Sequence, residues 1–404
     1  MNIVLINHYA GSPALGMEFR PYYLAREWVR AGHRVQMLAA DFSHVRARQP
    51  QAGDEVIDGI SYRWYPTPRY AGNGVGRVSN IAAFLRALWA DTARIVDQFK
   101  PDVVIASSTY PLDIWPARRL ARRARAKLVF EVHDLWPLSP IELSGMSPYH
   151  PFAMLCQSAE NTAYRDAEHV ISMLPKVHQH MAAHGLDLRK LSIIPNGISG
   201  DEWQGEPPPL RGDIADALAA ARREGAAVVG YAGSMGEPNS MHTLIDAAVL
   251  LRGEKLHFVL VGDGHERARL QQRITQLQLP RVTLWPPIPK LQVPTFLAAI
   301  DIAWIGWQRL PIYRFGIAPN KLMDYMMART PVLHSVQAGN DPVAESGCGL
   351  SVPPQDPGAL AAGLLQLTAL PLEERRAMGE RGRQFVLAHH TYPVLARRFL
   401  EALQ

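Results

Sequence analysis

The chain has 404 residues, 48% apolar and 20% charged, with 42 Lys and Arg against 37 Asp and Glu for a net charge of +5. That length reads as two domains, and the apolar share excludes a mainly disordered chain, while the lack of a short repeat excludes collagen and coiled coil. The mild positive balance admits phosphates, nucleic acid or a membrane surface as partners without requiring one.

The N-terminal stretch MNIVLINHYAG lacks the basic region and long apolar run of a secretory leader. Residues 3–6 read as a buried strand, followed by a loop at 8–19, HYAGSPALGMEF. In it Gly11 and Gly16 allow close approach of backbone to a ligand, and Tyr9, Tyr22 and Tyr23 are expected to offer flat hydroxyl-bearing faces. A simple flexible loop suits the same residues. Helical patterns at 21–31, 78–99 and 116–126 alternate with further strands at 35–38, 103–106 and 128–132. Pro21 and Pro116 suit the first turn of a helix. Short apolar strands between helices mean a parallel sheet covered on both faces.

The helix at 116–126 runs into RRLARRARAK, where Arg118 and Arg122, and Arg119 and Arg123, stand one turn apart over an inner face of Ala117, Leu120, Ala121 and Ala124. A solvated arginine face is the plain reading, and attraction to anionic headgroups the sharper one. No aromatic interleaving supports nucleic acid. The next strand ends in FEVHDLWP, so His133 sits at the carboxyl end of a parallel strand, facing the expected cleft. Asp134 beside it reads as an orienting partner or a helix cap, with Trp136 in the loop beyond. His178, His180 and His184 share a predicted helix, with too little in that spacing alone for a metal site. Cys156 and Cys348, the two cysteines, are far apart and form no CxxC, which favours a reducing cytoplasm over a disulfide scaffold.

Residues 198–213, ISGDEWQGEPPPLRGD, break the pattern and read as a linker. A second series of strands follows at 227–232, 256–261, 282–284, 302–305, 332–334 and 350–352. The most apolar stretch, 295–307, is interrupted by Asp301, and no run reaches the ~18 apolar residues of a spanning helix. After the first of these strands, Gly233, Ser234 and Gly236 precede a helix expected to start near Asn239 or Ser240. Such a turn lets amides approach a phosphate, and an ordinary strand–turn–helix connection looks the same. Gly262, in VGDGHE, reads first as a tight turn.

The stretch 313–327, YRFGIAPNKLMDYMM, says most. Pro319 fits the first helical position, leaving the amides of Asn320, Lys321 and Leu322 to form an anion site with the helix dipole. Lys321 adds a full charge and Arg314 stands behind it, while Asp324 lies one turn on, within reach of a ligand hydroxyl. The tail from 372 is helical with a break near Tyr392 and Pro393.

Taken in order, NHYAGS, EVHDLWP, SIIPNGI, GYAGSMG, VLVGDG, PNKLMDYMMARTPVL and ESGCGLSVPPQDPGAL resemble glycosyltransferase family 4 of the GT-B fold over nearly the whole chain. NHYAGSP…GMEFRPYYLAREW and PNKL…DYM are similar in type to the WbuB-like bacterial transferases of O-antigen and capsule assembly. The resemblance implies an α/β architecture of two Rossmann-like doubly wound domains facing a cleft. It places an acceptor domain at 1–195, with a final helix from about 388 to 404 packing back on it, and a donor domain at 196–387. It implies retaining, metal-independent and cofactor-free transfer from a nucleotide-sugar, UDP-linked, to a lipid-linked or other glycan acceptor. An N-acetylated hexosamine or deoxy-hexosamine is the expected sugar, and the inner face of the cytoplasmic membrane the expected place.

By the same resemblance the donor-sugar histidine falls on His133, the ribose carboxylate on Asp324 and the diphosphate amides on Asn320, Lys321 and Leu322. Base recognition falls near Pro287, Ile288 and Pro289. Two departures matter: Ser234 and Asn239 stand where the family carries Arg and Lys, and Gly316 replaces the first acid of its E-x7-E pattern. Lys321 is therefore expected to carry the diphosphate charge. A non-hydrolysing UDP-sugar epimerase and a catalytically silent sugar-nucleotide-binding protein are the alternative functions.

Overall fold

The computed structural model describes residues 1–16, 19–72 and 74–404. Met17 and Glu18 of the first loop lie outside the described residues. The chain divides into two compact units, Met1–Asn196 with Tyr392–Gln404, and Gly197–Thr391.

The first unit is built on β1 (Asn2–Ile6), β2 (Arg34–Ala40), β3 (Gly53–Ile57), β4 (Ile60–Tyr65), β5 (Val103–Ala106), β6 (Lys127–Val132), β7 (His169–Ser172) and β8 (Leu191–Ile193). Their order is β3-β4-β2-β1-β5-β6-β7-β8, and every pair is parallel except β3 with β4. Ile3, Val4 and Leu5 are wholly buried, as strands covered on both faces must be. The chain's last helix, Tyr392–Ala402, packs on the first, Phe19–Arg30. Trp28 donates its indole N–H to the Ala396 carbonyl at 3.2 Å, and its ring meets Phe399 edge-on at 5.0 Å. Helices Val75–Phe99, Ile114–Ala124 and Pro151–Asp166 lie side by side.

The second unit has β9 (Ala227–Ala232), β10 (Leu256–Val261), β11 (Val282–Trp285), β12 (Ile302–Gly306), β13 (Val332–Ser335) and β14 (Gly349–Val352) in the order β11-β10-β9-β12-β13-β14, all parallel. Alternate residues of these strands feed two cores. Val229, Tyr231 and Trp304 enter one, and Val228, Ala303 and Ile305 the other.

Three differences from the sequence reading have physical causes. The first unit holds β3, β4, β7 and β8 beyond the four strands expected. β3 and β4 form a hairpin closed by Asp58 and Gly59, both at positive φ, a two-residue turn that the Asp-Gly pair advertises. The break in the tail comes earlier than expected, because one helix ends at His389 and the next already includes Tyr392. Finally, Tyr9, Tyr22 and Tyr23 present no open faces, being at most 4% exposed. Tyr22 donates to Asp58, Tyr23 stacks on Tyr392 at 4.7 Å, and Tyr9 accepts from Arg77 at 3.2 Å.

Candidate active site

In the second unit the sequence-predicted residues gather at the carboxyl edge of the sheet. Gly233 follows β9, Gly262 follows β10, and Ile288 and Pro289 follow β11. The helix Asn320–Met327 follows β12, so its start and the Gly233 turn flank the β9/β12 junction. Strand order reverses there, the place where open parallel sheets bind ligands. The two glycine turns touch: a Cβ on Gly262, at φ +153°, would overlap the Gly233 carbonyl oxygen. Only glycine lets the β9 and β10 loops close on each other this way.

Pro319 is the N-cap residue rather than the first helical one, and the helix opens at Asn320. It offers no side-chain cap, so the first-turn amides meet no capping oxygen from it. The approach to the helix is pinned elsewhere. Asn340 accepts from the Ile317 amide at 2.7 Å and donates to the Ile317 carbonyl at 3.1 Å. Gly316, at φ +109°, makes the bend where the family has an acid. Arg314 donates to the Pro311 carbonyl at 2.6 Å and lies 4.2 Å over the Phe315 ring.

Lys321 turns back over the β9 loop. Its Nζ donates to the Tyr231 hydroxyl at 2.9 Å and to the Asn239 side-chain oxygen, and lies 4.9 Å from the Tyr231 ring centre. A Cβ on Gly233 would come within 3.4 Å of that Nζ. Tyr231 is fixed in turn by donating to the Ser234 carbonyl, while the Ser234 side chain itself is exposed. Both groups holding the ammonium are neutral, and burial pushes its pKa down to about 8. A desolvated cation held by neutral dipoles is electrostatically incomplete until an anion arrives.

One turn on, burial pushes the Asp324 carboxyl up to about 6, Glu202 adding to the rise and Lys290 opposing it. Lys290 and Glu202 pair at 3.0 Å. Glu202 comes from the stretch read as a linker, which folds into a short turn at Gly200–Trp203. Sequence reasoning missed Glu202, Lys290 and Tyr231. Only Tyr231 left a signal, as the aromatic in GYAGS.

The first unit holds a different arrangement. His133 is 7% exposed at the end of β6, with Ser107 Oγ at 3.0 Å from Nε2 and Glu131 Oε2 at 3.4 Å. Ser107 donates to the same Glu131 oxygen at 2.6 Å. Arg20 donates to Oε1 through Nε and Nη2 at 3.0 and 2.9 Å, and to the carbonyls of Ile194 and Pro195. Burial alone would raise Glu131, yet Arg20 and His133 outweigh it and hold the carboxyl near 2. Asp113, at the foot of the basic helix, accepts the Ser108 amide at 2.9 Å. Burial pushes it up to about 7, against the pull of Ser108 and His133. Arg20, Ser107, Glu131 and Asp113 were not singled out in sequence. The E-x-H pairing in EVHD was their one visible trace.

Asp134 is exposed, and Trp136 packs edge-on to Phe152 at 6.0 Å. Gly11 is buried, its carbonyl accepting from Tyr62 at 2.9 Å. Gly16, at φ +93°, turns its α-carbon toward Ala47. The close approaches expected of this loop are thus met within the chain itself. The basic helix buries Ala117, Leu120 and Ala121 as expected, while Ala124 is half-buried. Of its four arginines, Arg118 is tied to Asp166 at 2.6 Å and Arg119 lies 4.8 Å over the Trp89 ring.

Residues 16–197 match the family model for the glycosyl transferase 4-like domain, and residues 226–369 that for glycosyl transferases group 1. Among curated proteins, the chain is 24% identical over 275 residues to one named probable glycosyltransferase WbjE from Pseudomonas aeruginosa, covering 67% of each. It is 23% identical over 286 residues to WcaI of Escherichia coli K12, named as a colanic acid biosynthesis glycosyl transferase, covering 68% of each. Among solved structures, sucrose-phosphate synthase from Thermosynechococcus elongatus superposes with a TM-score of 0.75 at 18% identity, covering 99% of this chain and 98% of that one. Anabaena HepE in complex with UDP and glucose gives 0.67 at 17%, covering 100% and 99%. At such identities the structures speak for the fold, while the domain matches speak for the family. The chain belongs to the family 4 glycosyltransferases, enzymes that transfer a sugar, and its two parallel-sheet units are those of the GT-B fold.

Proposed function

We propose that this transferase takes its sugar from a UDP-linked donor held by the second unit, with retention and without a metal or other cofactor. Lys321 carries the reading: a half-buried ammonium whose partners among the described residues are the neutral groups of Tyr231 and Asn239, beside a glycine turn and a helix start. As the bond from the sugar's anomeric carbon to the diphosphate oxygen breaks, negative charge grows on the leaving diphosphate. Lys321 and the amides of Asn320 and Leu322 stabilise it, acting where the charge develops. Asp324 accepts from the ribose hydroxyls, and the backbone at Ile288 and Pro289 meets the base. His133 is assigned to the donor sugar's hydroxyls, held in orientation by Ser107 and Glu131. The acceptor hydroxyl attacks from the face the diphosphate leaves and gives its proton to a donor phosphate oxygen. HepE, solved with UDP and glucose, lends support to the choice of donor.

The acceptor class proposed is a polyprenyl-diphosphate-linked or other glycan of surface polysaccharide assembly, with Asp134 and Trp136 on its side. WcaI, named for colanic acid, supports that setting. Arg118, Arg119, Arg122 and Arg123, with Trp89 and Trp115, line an open groove of about 680 Å³ in the first unit. Arginine stems and tryptophan rings suit the headgroup level of an anionic membrane. Among the described residues no helix is long and apolar enough to cross a membrane, so the contact proposed is peripheral.

A thermal-shift panel of UDP, GDP, ADP, TDP and CMP, each with and without EDTA, tests the donor. A ligand at 100 times its Kd adds about 2.7 kcal/mol of stability. A selective UDP shift of equal size in EDTA supports the reading. A GDP preference overturns the donor, and a shift that needs divalent metal overturns the metal-free step. Turnover of UDP-sugar with no acceptor would restore the epimerase.

A further inference from the structure

We propose that Glu160, His180 and His184 form a binding site for a zinc-type transition metal ion, structural in role and sharing no residue with the transfer site. The inference rests on side-chain geometry alone and not on the donor reading.

Helical spacing puts His180 and His184 on one face, and their rings lie 4.3 Å apart. What the sequence could not show is the third group. Glu160, from the helix Pro151–Asp166, is 2% exposed and faces them, with His180 Nε2 3.8 Å from its Oε1. One ligand atom from each of the three lies within 4.8 Å of the others. Four ligands at ~2.0–2.1 Å in a tetrahedron stand about 3.4 Å apart, so small side-chain rotations close the site around an ion.

The outer contacts are those a metal ligand needs. His184 Nδ1 lies 2.8 Å from the His180 carbonyl oxygen. That bond puts the proton on Nδ1 and leaves the Nε2 lone pair for a metal. Glu160 is aimed by Tyr164, donating to Oε1 at 2.8 Å, and by Gln157, donating to Oε2 at 2.8 Å. Two imidazoles and one carboxylate favour zinc and its neighbours over Mg²⁺ or Ca²⁺, which prefer all-oxygen shells. Water would complete the tetrahedron. Glu160 also borders the small cavity lined by Glu131 and His133, so an ion there would staple the wall behind His133. A second cluster, Glu237, His265 and Glu266, lacks this character because two of its members are exposed.

The test titrates tag-free, EDTA-stripped full-length protein with ZnCl2, following bound metal and melting temperature, and with CoCl2, following the visible absorption of tetrahedral cobalt. One equivalent should bind, raise the melting temperature and give the tetrahedral cobalt spectrum, with excess Mg²⁺ failing to compete. The variant H180Q/H184Q should weaken zinc binding about 100-fold or more, whereas H178Q, an exposed neighbour on the same helix, should leave the titration unchanged. Substoichiometric binding by the folded wild type overturns the proposal, and that result needs no variant to fold. Equal weakening by H178Q, or undiminished binding by H180Q/H184Q, overturns it too. The size of the UDP-induced shift should not depend on the zinc, which keeps this outcome separate from the donor test.

Discussion

The two units meet the problem of buried charge in opposite ways. Around His133 the charges are balanced within the fold: Arg20 answers Glu131 at one oxygen, and Ser107 donates to the other with His133 3.4 Å from it. Around Lys321 the fold supplies a hydroxyl and an amide oxygen, and burial makes the charged form costly. The balanced network is finished without a ligand and holds a side chain in place. The unbalanced one stays incomplete until an anion binds. A substitution in the Arg20–Glu131 pair should therefore cost stability, and one at Lys321 should cost function.

The largest effect expected is on stability. Glu131→Gln leaves Arg20, 4% exposed, without its anion, and losing one partner of a buried pair costs about 3–5 kcal/mol. Because the Glu131 carboxyl is held near 2, its contribution is present above the ordinary carboxylate range and lost only as pH falls towards that value. Urea unfolding at neutral pH measures the loss, and a change below about 1 kcal/mol would mean that the network is not balanced as described. Next comes Lys321→Met, which removes a charge the folded chain does not need. Turnover should fall about 100-fold or more, roughly 2.7 kcal/mol of transition-state stabilisation, while the melting temperature holds or rises. A fall of less than tenfold would remove Lys321 from the leaving-group role. If Lys321→Met instead unfolds the protein, the contrast between the two units fails.

Much of this plan was legible in the sequence, and the remainder was hidden for definite reasons. Every strand of the second unit shows as a short apolar run, and in β9, β10, β12 and β13 the cause is burial of both faces. The β3–β4 hairpin was harder: Gly53–Ile57 is an exposed edge strand with little apolar signal, and only the Asp58-Gly59 turn marks it. Asn320, Lys321 and Asp324 were legible because a helix start is a local object. Asn239 was legible as well, but Tyr231, Glu202 and Lys290 were not, since they reach the site from other parts of the chain. For the same reason the tyrosines of the first loop read as ligand-facing, when the fold gives each a partner of its own. Arg20 and Glu131 lie 111 residues apart, and nothing local in either segment announces the pair.

The contrast also has a pH signature. Burial pushes the Asp324 carboxyl up to about 6 and the Lys321 ammonium down to about 8. Binding a UDP-sugar favours the ionised carboxylate and the charged ammonium. Below about 6 binding must release a proton from Asp324, and above about 8 it must take one up at Lys321. Affinity should therefore peak between these values and approach a tenfold loss per pH unit outside them. Calorimetric titration across pH, in buffers of different ionisation heat, reads both the affinity and the protons exchanged. The Lys321→Met variant should lose the alkaline limb and keep the acid one. A wild-type affinity flat from about pH 6 to about 9 would detach Lys321 from the donor, and one flat from about pH 6 down to about 4.5 would detach Asp324.

The smallest effect per residue belongs to the arginine–tryptophan groove, and the structure changes how it must be tested. Arg118 is paired with Asp166 at 2.6 Å, so removing it mixes lost stability with lost surface charge. Arg119, Arg122 and Arg123 are exposed, and Arg122 stands 3.8 Å from the Asp166 that Arg118 already holds. Neutralising these three to Gln spares the pair. Each basic side chain near an anionic surface contributes about 1 kcal/mol, so the triple variant should lose about 3 kcal/mol of affinity for phosphatidylglycerol vesicles in sedimentation assays at low salt. Trp89→Ala should weaken binding to the same vesicles without changing its salt dependence, because the ring adds apolar contact rather than charge. Release by the triple variant with unchanged turnover on a soluble donor and acceptor would separate the membrane contact from the chemistry. Undiminished vesicle binding by the triple variant would leave the four arginines as a solvated helix face.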